Sequence, residues 1–463
     1  LRAGKEEEDM PSFRDLTRRD FMRRGAAGFA GLGFLLNGKW VPLEASQVLP
    51  KPANPADRVG VGFIGAGIRG HILMDAAKQT GLANLVVASD CYQGHLDRAK
   101  ERTDGKIETN YAQYKKVLER KDVDAVVIAT PDHWHLPIVL DALSAGKDVY
   151  IEKPMTRLVE EGPKIIEAAK RYHCVVQVGS QGRSSVLQKK ARELVASGQI
   201  GKVTKIVASY NRNSSTGAWN YPIPPDLKNG VNFNWEEWLG PAPKHAYDAE
   251  RVFRYRKYWD YSGGISTDLF VHLITSIHFI MDAKVPASVV ASGGILYRKD
   301  GREVPDTLDA LFEYPEGFNV NMGSTFNNAS TPEQGMVFLG TQGSLSLLGG
   351  SLSVAAENPR EGYKYSIDSW PLKLQEEFMN QDDHREEANP PLRVEGTVSY
   401  RAEGPDATAL HMAEFFECVR SRQQCSENAQ VGHYAAAAGH MVNLSYRSGK
   451  KMLWDAASGT LKS

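Results

Sequence analysis

Hydrophobic and polar positions along the chain fall into two regimes. From Arg58 to about Val178, short continuous apolar runs alternate with amphipathic stretches. The runs predict strands at Val59–Ile64, Leu85–Ser89, Ala125–Ala129, Asp148–Ile151 and Val175–Val178, with a short one near Ile107. Between them the spacing predicts helices: one marked by Ile72, Leu73, Ala76 and Ala77, then Gly94–Arg102, Tyr111–Glu119, Leu136–Ala145 and Val159–Tyr172. Strands apolar on both faces, separated by helices, imply a parallel sheet covered on both sides. Past Gly179 the pattern changes. A helix (Val186–Ser197) leads to an alternating strand, Lys202–Tyr210, and then to an irregular segment, Asn211–Ser262. Strands follow near Ser288–Leu296, Leu308–Tyr314 and Asn319–Thr325, and a hairpin at Gly349-Gly350 is flanked by SLSLL and SLSV. Strands without intervening helices imply a mostly antiparallel sheet. Glu357–Gly404 is polar and reads as an extended surface excursion, and helices at Ala409–Arg422 and Gly432–Arg447 close the chain.

The first strand runs into VGVGFIGAGIRG, with Gly65, Gly67 and Gly70 at G-x-G-x-x-G spacing. The first glycine suits a tight turn, the second admits a pyrophosphate, and the third lets helix and strand pack closely. The helix that opens there, with Ile68 and Arg69 in its first turn, aims unpaired N–H groups and a positive dipole end at an anion. Asp90 closes the second strand, where a carboxylate accepts the ribose hydroxyls of a dinucleotide. Asp90 favours NAD, since it repels a 2′-phosphate; nearby Arg98 keeps NADP open. The fold class is therefore α/β: an N-terminal Rossmann doubly wound parallel sheet over residues 58–180, and a C-terminal α+β domain with a large mostly antiparallel sheet over 181–463.

Residues 1–57 read as leader and linker. Thr17-Arg18-Arg19-Asp20-Phe21-Met22-Arg23 fits the twin-arginine pattern, followed by a weakly apolar stretch, Gly25–Leu36. Twelve residues span about 18 Å as a helix, short of a bilayer core of about 30 Å, so no stable membrane span is expected. The expected location is periplasmic or otherwise exported, with the twin-arginine machinery as a partner. That route carries folded, cofactor-loaded proteins. The 55 basic and 56 acidic residues cancel, leaving no field for nucleic acid. Cys91, Cys174, Cys418 and Cys425 show no metal-ligand spacing and read as buried thiols.

Two loops at carboxyl ends of parallel strands are placed to border the nicotinamide: Thr130-Pro131-Asp132-His133-Trp134-His135 and Glu152-Lys153-Pro154. Gln181, just past the strand ending near Gly179, is grouped with these cofactor-facing residues. A lysine beside a dinucleotide exchanges a proton with a substrate hydroxyl; a solvated lysine beside a turn proline is the bland alternative. A third element, Gly263-Gly264 to about Met281, carries Asp268, His272 and Thr275 on one helical stripe, so that the carboxylate orients the imidazole. The His133-x-His135 pair lacks a third ligand, so no metal is expected. Trp219, Trp235, Trp238 and Trp259 lie in the irregular segment, suited either to stacking on a sugar or to packing beneath the loop.

The ordered set GFIGAGIRG, TPDHWH, EKP and GG followed by D-x-x-x-H resembles the glucose-fructose oxidoreductase and inositol dehydrogenase family (Gfo/Idh/MocA), and the leader and WEEWLGPAP resemble its exported bacterial branch. The resemblance implies hydride transfer with NAD(P) at a secondary alcohol of a sugar or polyol, and a homo-oligomer formed through the open sheet. It further implies Lys153 as general acid/base, His272 as a second proton-handling or orienting group, Asp268 as its support, and His135 and Pro131 lining the nicotinamide loop. Gly179-Ser180-Gln181-Gly182-Arg183 and Phe270 depart from the family pattern, so the substrate does not transfer. A redox-neutral glycosidase and a non-catalytic carbohydrate-binding protein are the alternatives.

Overall fold

The computed structural model describes residues 39–44, 49–51, 53–330, 334–357, 363–381, 384 and 397–462. The stretch expected to be a twin-arginine leader lies outside them. Of the described residues, those within 42–352 and 400–462 form one compact unit, and residues 39–41 with those within 353–399 form another.

Strand β1 (Lys39–Glu44) precedes a run of alternating elements in the larger unit. These are β2 (Val59–Ile64), α1 (Ile68–Thr80), β3 (Ala83–Asp90), α2 (Gln93–Arg102), β4 (Glu108–Tyr111), α3 (Tyr114–Leu118), β5 (Ala125–Ile128), α4 (His135–Ser144), β6 (Asp148–Glu152), α5 (Gly162–Tyr172) and β7 (Val176–Gly179). The strands form a parallel 6-stranded sheet in the order β4-β3-β2-β5-β6-β7. The order reverses beside β2, and the crevice outside the carboxyl ends of β2 and β5 is where such sheets bind ligands. Every residue of β2, β5, β6 and β7 is buried, as continuous apolar runs under helices require.

After α6 (Val186–Ala196) the chain enters a second sheet through β8 (Val203–Ser209). Short helices α7 (Trp235–Leu239) and α8 (Ala249–Phe253) interrupt the irregular segment, and α9 (Val271–Met281) leads to β9 (Ser288–Gly294), β10 (Thr307–Tyr314) and β11 (Phe318–Thr325). With β12 (Gly335–Gly340), β13 (Gly343–Leu348), and the later β16 (Met452–Asp455) and β17 (Thr460–Leu461), they run in the order β13-β12-β8-β11-β10-β9-β16-β17. The pairing is antiparallel except between β11 and β8. Burial alternates strictly along β10, the mark of a sheet with one covered face. Gly349 and Gly350, with φ of 53° and 80°, follow β13 as a primed hairpin turn demands.

Strand β14 (Ser351–Ala356) follows that turn. Residues 357–404 read from composition as an extended excursion, yet their described part contains helices α10 (Lys364–Ile367) and α11 (Leu372–Met379) and strand β15 (Val398–Glu403). Within the smaller unit Tyr363, Trp370, Phe378 and His384 pack on one another, the Phe378 and His384 rings stacked at 3.8 Å. These aromatics supply the local core that the polar composition hid. The closing helices are α12 (Ala407–Ser421) and α13 (Ala429–Ser448). Arg422, just past α12, forks onto Asp148 of the parallel sheet with contacts of 2.6 and 3.0 Å. The chain's end is thereby fastened to its first domain. No helix among the described residues is long and apolar enough to cross a membrane.

The turn after β2 shows why its glycines are glycines. Gly65 has φ +90, and a Cβ there would sit 2.7 Å from the Ala129 carbonyl group. At Gly70 a Cβ would lie 2.2 Å from the Gly65 carbonyl oxygen, so α1 could not approach the turn. At Gly67 it would meet nothing nearer than His95 Cε1 at 3.6 Å. The protein itself leaves that position open; its need for glycine comes from what approaches it. Gly70→Ala is therefore expected to destabilise the fold by about 1–3 kcal/mol, read in the thermal unfolding midpoint. Gly67→Ala is expected to stay within about 1 kcal/mol while weakening nucleotide binding in a calorimetric titration.

Burial also sets the acid limit of the fold. His71, His433 and His440 are pushed down to about 4, and His133, His272 and His278 to about 3, in each case first by burial. In the unfolded chain they bind protons near pH 6.5. Their contribution to stability is complete above about pH 6.5 and is lost as pH falls towards 4, by up to about 2 kcal/mol per fully buried histidine at pH 5. The melting midpoint is expected to fall between pH 7 and pH 5 and to change little between pH 7 and 8.

Candidate active site

Two connected hollows lie at the carboxyl ends of the parallel strands. The larger, about 520 Å³, is lined by Gly65, Gly67, Ile68, Arg69, Asp90, Thr130 and Pro131 among others. The smaller, about 230 Å³, is lined by Glu152, Lys153, Gln181, Arg212, Asp268 and His272. Arg69, Thr130, Tyr221, Tyr255 and Arg256 border both, so one opens into the other.

The larger hollow has the chemistry of a dinucleotide cleft. Ile68 in the first turn of α1 is 69% exposed, an apolar side chain at the mouth that a bound ligand would cover. Asp90 Oδ2 accepts the Ala66 N–H at 2.7 Å, and Oδ1 accepts that of Tyr92 at 2.9 Å and faces His95 Nδ1 at 3.1 Å. Burial opposes its ionisation, but His95 and these N–H groups hold the carboxyl below its usual range. It is therefore an anion at neutral pH, able to accept ribose hydroxyls and hostile to a 2′-phosphate. Arg98, the sequence's reason for keeping NADP open, pairs with Glu101 at 2.5 Å and does not line the cleft. The open cradle at Gly67 and the α1 N-terminus fit a pyrophosphate.

In the smaller hollow Lys153, directly after β6, donates from Nζ to Asp268 Oδ1 at 2.7 Å and to the Asp268 carbonyl at 3.1 Å. Both side chains are 11% exposed. Arg256 Nε donates to the same Oδ1 at 3.0 Å, and Trp219 Nε1 to Oδ2 at 3.2 Å. Burial resists the charge on Asp268, yet Lys153 and Arg256 together hold its carboxyl far below the usual range. His272 borders the same hollow as a neutral imidazole, pushed down to about 3 by burial and by the Lys153 charge.

Two expectations are corrected here. Asp268 and His272 do not form a helical carboxylate–imidazole pair: among the described residues no hydrogen bond joins them, and Asp268 is spent on Lys153, Arg256 and Trp219. The reason is a π-helical turn, Ser266–Phe270, ahead of α9. Its extra residue breaks the i, i+4 row, and the Asp268 carbonyl is free to accept from Lys153. His135 does not line the nicotinamide loop either. Residues Asp132–Trp134 form a 3₁₀ turn that points the His135 ring inward, 1% exposed. Its Nδ1 lies 2.7 Å from the Pro154 carbonyl oxygen and Nε2 3.1 Å from that of Thr130. It clamps the two loops together, while Trp134 borders the cleft.

Glu152 accepts Arg69 Nε at 2.7 Å and Gln181 Nε2 at 3.1 Å, and Gln181 also donates to the Tyr150 hydroxyl at 2.8 Å. Arg69 on α1 is thus tied to the end of β6. His133 Nε2 lies 3.1 Å from the Trp238 carbonyl oxygen, and among the described residues no group of His, Cys, Asp or Glu is arranged for a metal. All four cysteines are free. Trp219, Trp235 and Trp238 are buried, although Trp238 joins Trp134 in the wall of the larger hollow, and the aromatic rings that border the smaller hollow are those of Tyr221 and Tyr255. The sequence reading missed Arg212 and Arg256, and it named Trp219 for sugar stacking or packing rather than for its bond to Asp268. All three lie in non-periodic chain, and the signal for Arg256 was the basic run Arg254-Tyr255-Arg256-Lys257.

Comparison with known proteins agrees with this architecture. The model of an oxidoreductase family with an NAD-binding Rossmann fold matches residues 59–180, and that of the GFO/IDH/MocA C-terminal domain matches residues 238–346. An alpha-N-acetylgalactosaminidase of Shewanella oneidensis is 29% identical over 234 residues, 44% of this chain and 50% of that protein. A glycosyl hydrolase family 109 protein of Shewanella baltica is 30% identical over 216 residues, 42% of this chain and 46% of that protein. The chain thus spans about half the length of the curated relatives it matches. Among solved structures, levoglucosan dehydrogenase in complex with NADH and levoglucosan superposes with a TM-score of 0.61 at 18% identity, covering 85% of this chain and 98% of that one. Aldose-aldose oxidoreductase from Caulobacter crescentus gives 0.60 at 16%, covering 86% and 99%. These two likenesses are of fold. With both of its domains matched in order, the chain belongs to the Gfo/Idh/MocA oxidoreductase family.

Proposed function

We propose that this protein is an NAD-dependent oxidoreductase acting at a secondary alcohol of a sugar, glycoside or cyclitol. The observation that carries the reading is Lys153 Nζ, held 2.7 Å from the Asp268 carboxylate in a small hollow that opens into the dinucleotide cleft. Bound NAD supplies the hydride acceptor. Lys153 exchanges the hydroxyl proton: its amine takes the proton up in oxidation and its ammonium returns it in reduction, worth about 10²–10⁴ in rate. Asp268 stays ionised and fixes the lysine rather than competing for the proton. Neutral His272 offers a hydrogen bond to the substrate oxygen.

A second reading, the redox-neutral glycosidase, is favoured by the names of the Shewanella relatives. In it the same residues act twice: a sugar carbon is transiently oxidised, the neighbouring C–H is acidified and its proton lost as the leaving group is eliminated, water adds across the resulting double bond, and the hydride returns to the oxidised carbon. The Thr17–Arg23 leader supports export with the cofactor already bound. Exposed Val290 paired with exposed Leu311 on the open sheet supports association between copies.

The test begins with protein purified without added nucleotide, denatured, and assayed for released NAD or NADP by mass spectrometry. It continues with a panel of sugars and aryl glycosides. Near-stoichiometric nucleotide with NADH formation is expected, whereas aglycone release without net NADH selects the glycosidase. An empty site that also fails to bind added nucleotide sinks both. Lys153→Met is expected to lower kcat by about 10²–10⁴ with nucleotide content unchanged.

A further inference from the structure

The hollow beside Lys153 holds more positive charge than its own residues neutralise. Its cations are Arg69, Lys153, Arg212 and Arg256; its anions are Glu152 and Asp268. Arg69 is matched by Glu152 at 2.7 Å, and Arg256 by Asp268 at 3.0 Å, a carboxylate that Lys153 shares. Arg212 has no carboxylate within ion-pair distance among the described residues. Its Nη1 donates to the Gly217 carbonyl at 3.1 Å and its Cζ lies 5.2 Å from the centre of the Tyr210 ring, which leaves Nε and Nη2 without a partner among the described residues. Leaving Lys153 out of the count does not remove this excess, because Arg212 still has no carboxylate of its own among the described residues. Nor does it belong to the nucleotide. Lys153 and Arg212 border only the smaller hollow, while Gly65, Gly67 and Asp90 border only the larger. The whole chain carries a formal charge of −1, so the excess is local.

We propose that the substrate ring carries an anionic group, a carboxylate or a phosphate, which the Arg212 guanidinium receives while the reacting hydroxyl faces Lys153. A planar fork with free donors suits either group, and a half-buried cation binds an anion more strongly than one in open water does. The inference deepens the oxidoreductase reading and rests on it for the hydroxyl chemistry. The charge recognition is separable.

The experiment is calorimetric titration of the NAD-loaded full chain with D-glucuronate, D-glucose 6-phosphate and D-glucose, with NADH absorbance followed in the same mixtures. At least one anionic sugar is expected to bind about tenfold or more tighter than glucose, and the stronger of the two identifies the group. Arg212→Gln should erase that preference while leaving nucleotide content within about twofold, and Arg212→Lys should restore part of it. Equal affinity for all three sugars, failure of all three to bind, or a preference that survives Arg212→Gln overturns the proposal. Binding of an anionic sugar without hydride transfer supports the charge assignment and counts against the oxidoreductase reading. Hydride transfer from glucose alone, with no anion preference, does the reverse.

Discussion

The smaller hollow and the joint between the two domains beside it are organised around a single carboxylate. Asp268 lies inside the protein, where an ion without partners is not tolerated, and it gathers Lys153, Arg256 and Trp219 from three separate stretches of chain. Lys153 stands at the end of a Rossmann strand, whereas Asp268 stands on a π turn in the second domain. Docking the two domains and assembling the site are therefore the same event. Removing one partner of such a buried pair costs about 3–5 kcal/mol, so the arrangement commits the interface to one geometry. Trp219 bears part of that commitment. Its backbone sits at φ +66, a region costly for a bulky residue, and the flanking Ala218 and Asn220 are held by Arg302 and Asp300.

What the sequence made legible follows from periodicity. Buried parallel strands must be continuously apolar, and one-faced antiparallel strands must alternate. Both sheets were read from those rules, and the glycine turn from its spacing. Where the backbone departs from the α or β repeat, the reading failed in step with it. A 3₁₀ turn sent His135 inward, and a π turn moved Asp268 out of the row it would share with His272. Arg212 and Arg256, and the bond from Trp219 to Asp268, were invisible for a related reason: irregular chain carries no repeat from which to infer the direction of a side chain. Residues 364–379 looked unstructured because their few aromatics are too sparse to form a stripe, yet those aromatics meet one another.

The two hollows bind by different physics, and the difference orders events between them. In the larger, the nucleotide meets distributed partial charges: the N–H groups of the α1 terminus, an open cradle at Gly67, and one anion at Asp90. In the smaller, full charges stand within hydrogen-bond distance of each other in a volume of about 230 Å³. Arg69 belongs to both, and its Nε is already engaged by Glu152. A nucleotide lying along α1 therefore meets a side chain whose position is fixed from the substrate side, through Glu152 and Gln181. The wall between cofactor and substrate is in this way made by charges that neutralise each other, and the charge left unmatched lies beyond it, at Arg212. An anion drawn to that point shares the smaller hollow with Lys153, so the force proposed to select the substrate also brings its hydroxyls to the hollow that holds the proton-exchanging lysine.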